Sequence, residues 1–115
     1  MFGPMETSVT VERRVSERYE LRMPVTLTAP AMGEMRGTSV NLSTHGVLVA
    51  VPHEIALATE VRVTLELPDE LAPLALPALV VRVGPLKEGT REVALCFIQP
   101  SPSTVRRLSE VVYAR

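Results

Sequence analysis

The feature that most restricts the fold of this chain is a series of short segments in which apolar and polar residues alternate. The clearest spans Val61 to Leu67, where four apolar residues are separated by Arg62, Thr64 and Glu66. A period of two sends neighbouring side chains to opposite faces of a strand, so this pattern predicts a half-buried β-strand. Alternation or short apolar runs predict five further strands, at residues 21–28, 36–40, 46–51, 79–83 and 92–98.

Glycine and proline separate the predicted strands and mark the turns between them. Gly33-Glu34 and Lys87-Glu88-Gly89-Thr90 have the composition of turns, and Gly84-Pro85 ends the fifth strand. Six antiparallel strands in a chain of 115 residues usually close into a barrel, because closure leaves no exposed sheet edge. The sequence therefore predicts a mainly β fold, a six-stranded antiparallel β-barrel.

The two ends of the chain depart from the strand pattern. Residues 1–12 are small and polar without periodicity, which predicts a flexible tail before a single domain at residues 13–115. Near the other end, Ser101-Pro102-Ser103 favours the start of a helix. Four apolar residues then share one helical face: Val105, Leu108, Val111 and Val112. We expect this C-terminal helix to pack on the barrel, and a basic amphipathic membrane helix is the alternative.

Composition limits the partners and the chemistry of the chain. A formal net charge of −1 gives no global basic field, so a nucleic-acid polymer is not an expected partner. No apolar stretch reaches the roughly 18 residues of a membrane span. No segment of signal-peptide type precedes Glu12, so a cytoplasmic location is the expectation. The single cysteine, Cys96, excludes an intrachain disulfide, and its apolar neighbours predict that it is buried.

Sets of catalytic or metal-binding residues are nearly absent from the sequence. His45 and His53 each lack a second strong ligand two to four positions further on. Asp69 and Glu70 follow Pro68 in a predicted turn, and no glycine-rich phosphate loop precedes a helix. The sequence therefore predicts a protein that is not an enzyme and that holds neither a metal nor a cofactor.

Three arginines lie close together just before the first predicted strand. Arg13, Arg14 and Arg18 fall within six residues and are flanked by Glu12 and Glu17. A guanidinium binds phosphate through two hydrogen bonds, stacks on a base and pairs with the O6/N7 edge of guanine. The segment is therefore either a solvated charged linker or a loop that binds phosphates and bases, and composition alone favours the linker.

The connection between the second and third predicted strands, Asn41-Leu42-Ser43-Thr44-His45-Gly46, is the other candidate. Asn41 carries an acceptor and donors that match a base edge, and Ser43 can bond to backbone, phosphate or base. Gly46 permits a positive φ, which would let the chain turn sharply. Taken alone, the segment is more typical of an ordinary turn.

Together the two segments resemble the signature of the PilZ domain family, RxxxR followed by [D/N]xSxxG between the second and third strands of a six-stranded pattern. Here the elements are Arg14-Val15-Ser16-Glu17-Arg18 and Asn41-Leu42-Ser43-Thr44-His45-Gly46. The resemblance extends from about Glu12 to the C-terminus and includes the Val-Val-Arg-Val of the fifth strand and the closing helix. The two motifs in this order and strand context are more specific than either alone.

The resemblance implies a PilZ-type barrel whose arginine loop, residues 13–18, folds over a bound cyclic di-GMP. Arg14 and Arg18 would contact phosphates and guanines of the ligand. Asn41 would hydrogen-bond a guanine edge, at a position where the family often has Asp. Ser43 would add a polar contact, and Gly46 would keep the turn tight.

Arg13 offers a third guanidinium beside the RxxxR pair. On an extended loop it would point away from its neighbour and stack on a guanine of a second ligand molecule. The alternative is a surface pair with Glu12 or Glu17, where such pairs contribute roughly 0–1 kcal/mol.

The expected function is that of a receptor for cyclic di-GMP, relayed through ordering of the arginine loop. A chain with one domain would pass the signal to an unidentified effector protein or act by self-association as a homodimer. The alternative is a PilZ-fold adaptor that does not bind cyclic di-GMP and acts by protein contact in motility or pilus machinery. The intact arginine motif favours the receptor.

Overall fold

The computed structural model describes residues 19–68 and 72–113, which form seven strands and one helix in these ranges. Their bounds are β1 Tyr19–Glu20, β2 Pro24–Ala29, β3 Gly33–Leu42, β4 Gly46–Val51, β5 Glu60–Leu65, β6 Leu74–Val83, β7 Arg91–Phe97 and α1 Pro102–Tyr113.

Six of the strands form a closed antiparallel barrel. Neighbouring strands pair in the order β3, β2, β5, β6, β7 and β4, and the pairing of β4 with β3 closes the ring. The short β1 adds to the end of β3, with Tyr19 opposite Leu42 and Glu20 opposite Asn41. The predicted six-stranded barrel with a C-terminal helix is therefore confirmed.

The barrel core comes from the alternation of side chains along each strand. In β5, Val61, Val63 and Leu65 are buried while Arg62 is exposed, as a period of two requires. The buried cluster of the described residues is aliphatic apart from Phe97, Met23 and Met35. Core packing therefore depends on branched aliphatic side chains, and the outward faces of the strands are left for polar groups.

The C-terminal helix packs on this core. Its N-terminus is capped by the Ser101 hydroxyl, which accepts a hydrogen bond from the Thr104 N–H at 3.2 Å. Leu108 and Val112 are buried in the same cluster as the barrel residues, which confirms the predicted apolar face. No helix in the described ranges is long and apolar enough to cross a membrane.

Two strands are longer than the sequence pattern predicts. β3 and β6 each have ten residues, whereas the predicted strands span only 36–40 and 79–83. Pro77 interrupts the apolar alternation of β6 in the sequence. Its ring lies on the outer face, between the buried Leu76 and Ala78, and the strand continues through it.

The prediction that Cys96 is buried is wrong. Cys96 lies in β7, where Val93, Leu95 and Phe97 are buried and the residues between them face outward. Its thiol is therefore exposed on the outer surface of the barrel. A short apolar run does not show which of its members face the core, because in a barrel each strand buries one face only.

Candidate functional site

A row of four residues crosses the outer face of four adjacent strands. Asn41 of β3 pairs with Leu48 of β4, Leu48 pairs with Ala94 of β7, and Ala94 pairs with Arg82 of β6. Neighbouring strands are about 4.8 Å apart, so the row extends about 14 Å along the barrel surface. We call these four residues the outer row.

A β-bulge turns Asn41 outward. Met35 and Ser39 of β3 are buried, and strict alternation would bury residue 41 as well. The register shifts between Ser39 and Asn41, and Leu42 is the next buried residue. The extra residue therefore moves Asn41 to the outer face, where it is half-buried.

A second bulge does the same for Arg82. Ala78 and Val80 of β6 are buried, and the register shifts between Val80 and Arg82. As a result both Val81 and Arg82 are exposed. The two bulges thus place a polar side chain at each end of the outer row. The two residues between these ends are Leu48 and the smaller Ala94.

The turn between β3 and β4 is held by Ser43. Its hydroxyl oxygen accepts hydrogen bonds from the backbone N–H groups of His45 at 3.1 Å and Gly46 at 3.2 Å. The Ser43 N–H donates to the Gly46 carbonyl at 2.9 Å, which closes the turn. Ser43 is buried and lines the site, so its main observed role is to fix the turn beside Asn41.

Gly46 does not adopt the positive φ that the sequence suggested. It is the first residue of β4 and pairs with Cys96 of β7. A Cβ at this position would overlap the carbonyl oxygen of Leu95. Glycine is therefore required by the close approach of two backbones and not by a left-handed turn.

These residues line a concavity of about 200 Å³ on the barrel surface, which includes Asn41, Ser43, Gly46, Leu48, Arg82 and Ala94. Three of the six predicted site residues, Asn41, Ser43 and Gly46, therefore lie together. The other three, Arg13, Arg14 and Arg18, lie outside the described residues.

The first described residues, Tyr19 and Glu20, lie beside this concavity. Glu20 of β1 pairs with Asn41, and the next segment is tied to β3 by Ser39. The buried Ser39 hydroxyl donates to the Leu21 carbonyl and accepts from the Met23 N–H at 2.9 Å. Tyr19, the first described residue, pairs with Leu42 at the end of β3.

Sequence reasoning missed the contribution of β6 and β7. Arg82 lies in the Val-Val-Arg-Val segment that predicts a strand, but nothing in that pattern indicates the bulge that places it on the outer face. Cys96 and the exposed His45 also line the concavity. In residues 19–68 and 72–113, no three His, Cys, Asp or Glu side chains are arranged to hold a metal ion.

The comparisons with known proteins agree with this architecture. The PilZ domain of YcgR from Escherichia coli, solved with c-di-GMP, has a TM-score of 0.74 at 13% identity, covering 90% of this chain and 91% of that one. The inhibitor of motility MotI/DgrA from Bacillus subtilis gives 0.76 at 21% identity, with 91% and 51% covered. The K. pneumonia MrkH–c-di-GMP complex gives 0.70 at 14% identity, with 88% and 51% covered.

The chain thus spans about half the length of the MotI/DgrA and MrkH chains, and at these identities the likeness establishes the fold. No curated protein matches the chain by sequence. A family model, however, the PilZ domain, matches residues 12–114, almost the whole sequence. On this match and the barrel described above, the chain belongs to the PilZ domain family.

Proposed function

We propose that this domain binds cyclic di-GMP on the outer face of the barrel, between the concavity around Asn41 and the arginine segment at residues 13–18. The observation that carries the proposal is the pairing of β1 with the end of β3, Glu20 opposite Asn41. It brings the segment that directly follows the arginines to the edge of the concavity. This pairing supports a site to which both parts of the sequence signature contribute, although more than twenty residues separate them in the sequence.

The chemistry of the ligand fits a site formed by both the arginine segment and the concavity. Cyclic di-GMP is a dianion with two flat guanine bases, so it needs cations for the phosphates and a polar group for a base edge. In the proposed complex, Arg14 and Arg18 bind phosphates and guanines through charged, two-pronged hydrogen bonds. Asn41 binds a guanine edge from the rigid barrel, with Ser43 and Gly46 holding its turn.

Family membership supports this assignment, and so do the relatives. The E. coli YcgR domain and K. pneumonia MrkH were each solved with c-di-GMP. In the proposed mechanism the arginine loop becomes ordered over the ligand and presents a new surface to an effector protein. Ordering a segment on binding costs conformational entropy, which lowers the measured affinity below what the contacts alone would give. The domain acts as a binding module and catalyses no reaction.

Isothermal titration calorimetry of the wild type and of Asn41 variants tests the proposal. Micromolar cyclic di-GMP should give a saturable heat, and Asn41→Asp should tighten binding about fivefold or more. A carboxylate accepts both N1–H and N2–H of guanine, and hydrogen bonds to charged groups are worth roughly 1 kcal/mol more than neutral ones. Asn41→Ala should weaken binding. If the wild type gives no heat, the adaptor function replaces the receptor.

Stoichiometry tests the proposed role of Arg13. With three guanidiniums available, the wild type should bind two ligand molecules per chain, because Arg13 stacks on a guanine of the second molecule and offsets the repulsion between two dianions. Arg13→Ala should then saturate at one. A wild-type stoichiometry of one, or a variant that still binds two, would remove this role and leave Arg13 in a surface pair.

A further inference from the structure

Arg82 is a cation held by the barrel itself. It ends the outer row, three strands from Asn41, and its place on the outer face is fixed by the bulge in β6. Its side chain is exposed, and no hydrogen bond or ion pair to it is formed within the described ranges. A guanidinium in this state is fully available to a ligand.

Arg82 also lies where two concavities meet. It lines the 200 Å³ concavity around Asn41 and a second one of about 540 Å³, which includes Arg22, Lys87 and Glu92. A ligand that extends from Asn41 along the outer row must therefore pass the Arg82 side chain. Between Asn41 and Arg82 the row consists of Leu48 and Ala94, and the small side chain of Ala94 leaves the surface next to Arg82 open.

The Asn41 amide does not by itself distinguish guanine from adenine. It carries one acceptor and two donors, and an asparagine pairs readily with the N6/N7 edge of adenine. A guanidinium, in contrast, is matched to the O6/N7 edge of guanine, where both ligand atoms are acceptors. At that edge adenine presents the N6 amino group, a donor that faces the donors of arginine unfavourably.

We infer that Arg82 binds the O6/N7 edge of a guanine in the ligand and so selects guanine over adenine. The inference rests on the proposed function, which supplies the cyclic dinucleotide. In this arrangement Asn41 and Arg82 read bases from the rigid barrel. Part of the selectivity for the base is then built into the strands, in addition to the phosphate and guanine contacts proposed for Arg14 and Arg18.

A double-mutant cycle between Arg82 and the ligand's N7 atom tests the inference. Affinities are measured for cyclic di-GMP and for its analogue with 7-deazaguanine bases, which lacks N7 but keeps O6. Wild type should bind the analogue about tenfold more weakly, since one of two charged hydrogen bonds is lost. Arg82→Ala should bind cyclic di-GMP about tenfold or more weakly, and should discriminate between the two ligands less than the wild type does.

Two further variants separate the alternatives. Arg62→Ala removes an exposed arginine from β5, which lies opposite β4 in the barrel, and should leave both affinities unchanged. Arg82→Lys keeps the charge without the planar fork and should behave like Arg82→Ala. If lysine restores affinity, or if Arg82→Ala discriminates as strongly as wild type, the assignment of Arg82 is wrong although binding stands. If neither wild type nor Arg62→Ala binds cyclic di-GMP, the proposed function itself fails.

Discussion

Replacing Arg14 or Arg18 with alanine should each reduce the affinity for cyclic di-GMP about ten- to a hundred-fold. Each change removes a charged hydrogen-bonding group worth roughly 1.5–3 kcal/mol, and about 1.4 kcal/mol is a factor of ten in the dissociation constant. Calorimetric titration of each variant beside the wild type measures the loss. The double variant should lose less than the product of the two, because groups that bind one ligand are coupled.

A matched control separates this effect from a general loss of positive charge. Arg62→Ala also removes one arginine, but from the outer face of β5, a strand that does not contribute to the concavity. It should leave the affinity unchanged. All three variants should unfold at the same denaturant concentration as the wild type. Hydrogen exchange at residues 13–18 should slow on adding ligand to the wild type. Full affinity in both Arg14→Ala and Arg18→Ala would contradict the proposed role of the loop.

Alternation and short apolar runs predicted the six strands of the barrel, although not the short β1. Val61, Val63 and Leu65 alternate with polar residues without interruption, and their strand is found where the pattern predicts it. The alternation fails locally where a residue suits either face. Because of Pro77, the first half of β6 was not predicted as a strand. Cys96 was assigned to the core although it faces outward. Small or weakly polar residues do not specify a face, because their own burial changes the free energy little.

The site was predictable only in part, for a different physical reason. Asn41 and Ser43 were identified because their turn lies within a short sequence motif. The contribution of Arg82 depends on a bulge, one extra residue in the register of β6 with β7. A bulge is a property of two paired strands, so neither strand's sequence alone reveals it. The requirement for glycine at position 46 also depends on a neighbouring strand, because the residue it approaches, Leu95, is almost fifty positions away in the sequence.

Substituting Gly46 with alanine should destabilise the domain by about 2–3 kcal/mol, near the upper end of the cost of overpacking. The added Cβ would overlap the Leu95 carbonyl oxygen, which is backbone and cannot move without separating β4 from β7. For a domain whose unfolding free energy is about 5–15 kcal/mol, this is a substantial fraction. Denaturant unfolding of the wild type and the variant measures the difference.

Comparison with Gly33 identifies the cause. Gly33 has φ of 78° and no atom within 4 Å of a Cβ placed on it, so only its backbone conformation disfavours a side chain. Asparagine tolerates positive φ better than alanine, so Gly33→Asn should be more stable than Gly33→Ala. At position 46 the order should reverse: Gly46→Ala should be more stable than Gly46→Asn, because the larger asparagine side chain increases the overlap with Leu95. Because Gly46 lines the concavity, separation of β4 from β7 should also weaken ligand binding. If Gly46→Ala is as stable as the wild type, or Gly46→Asn is more stable than Gly46→Ala, close strand approach is not what requires glycine there.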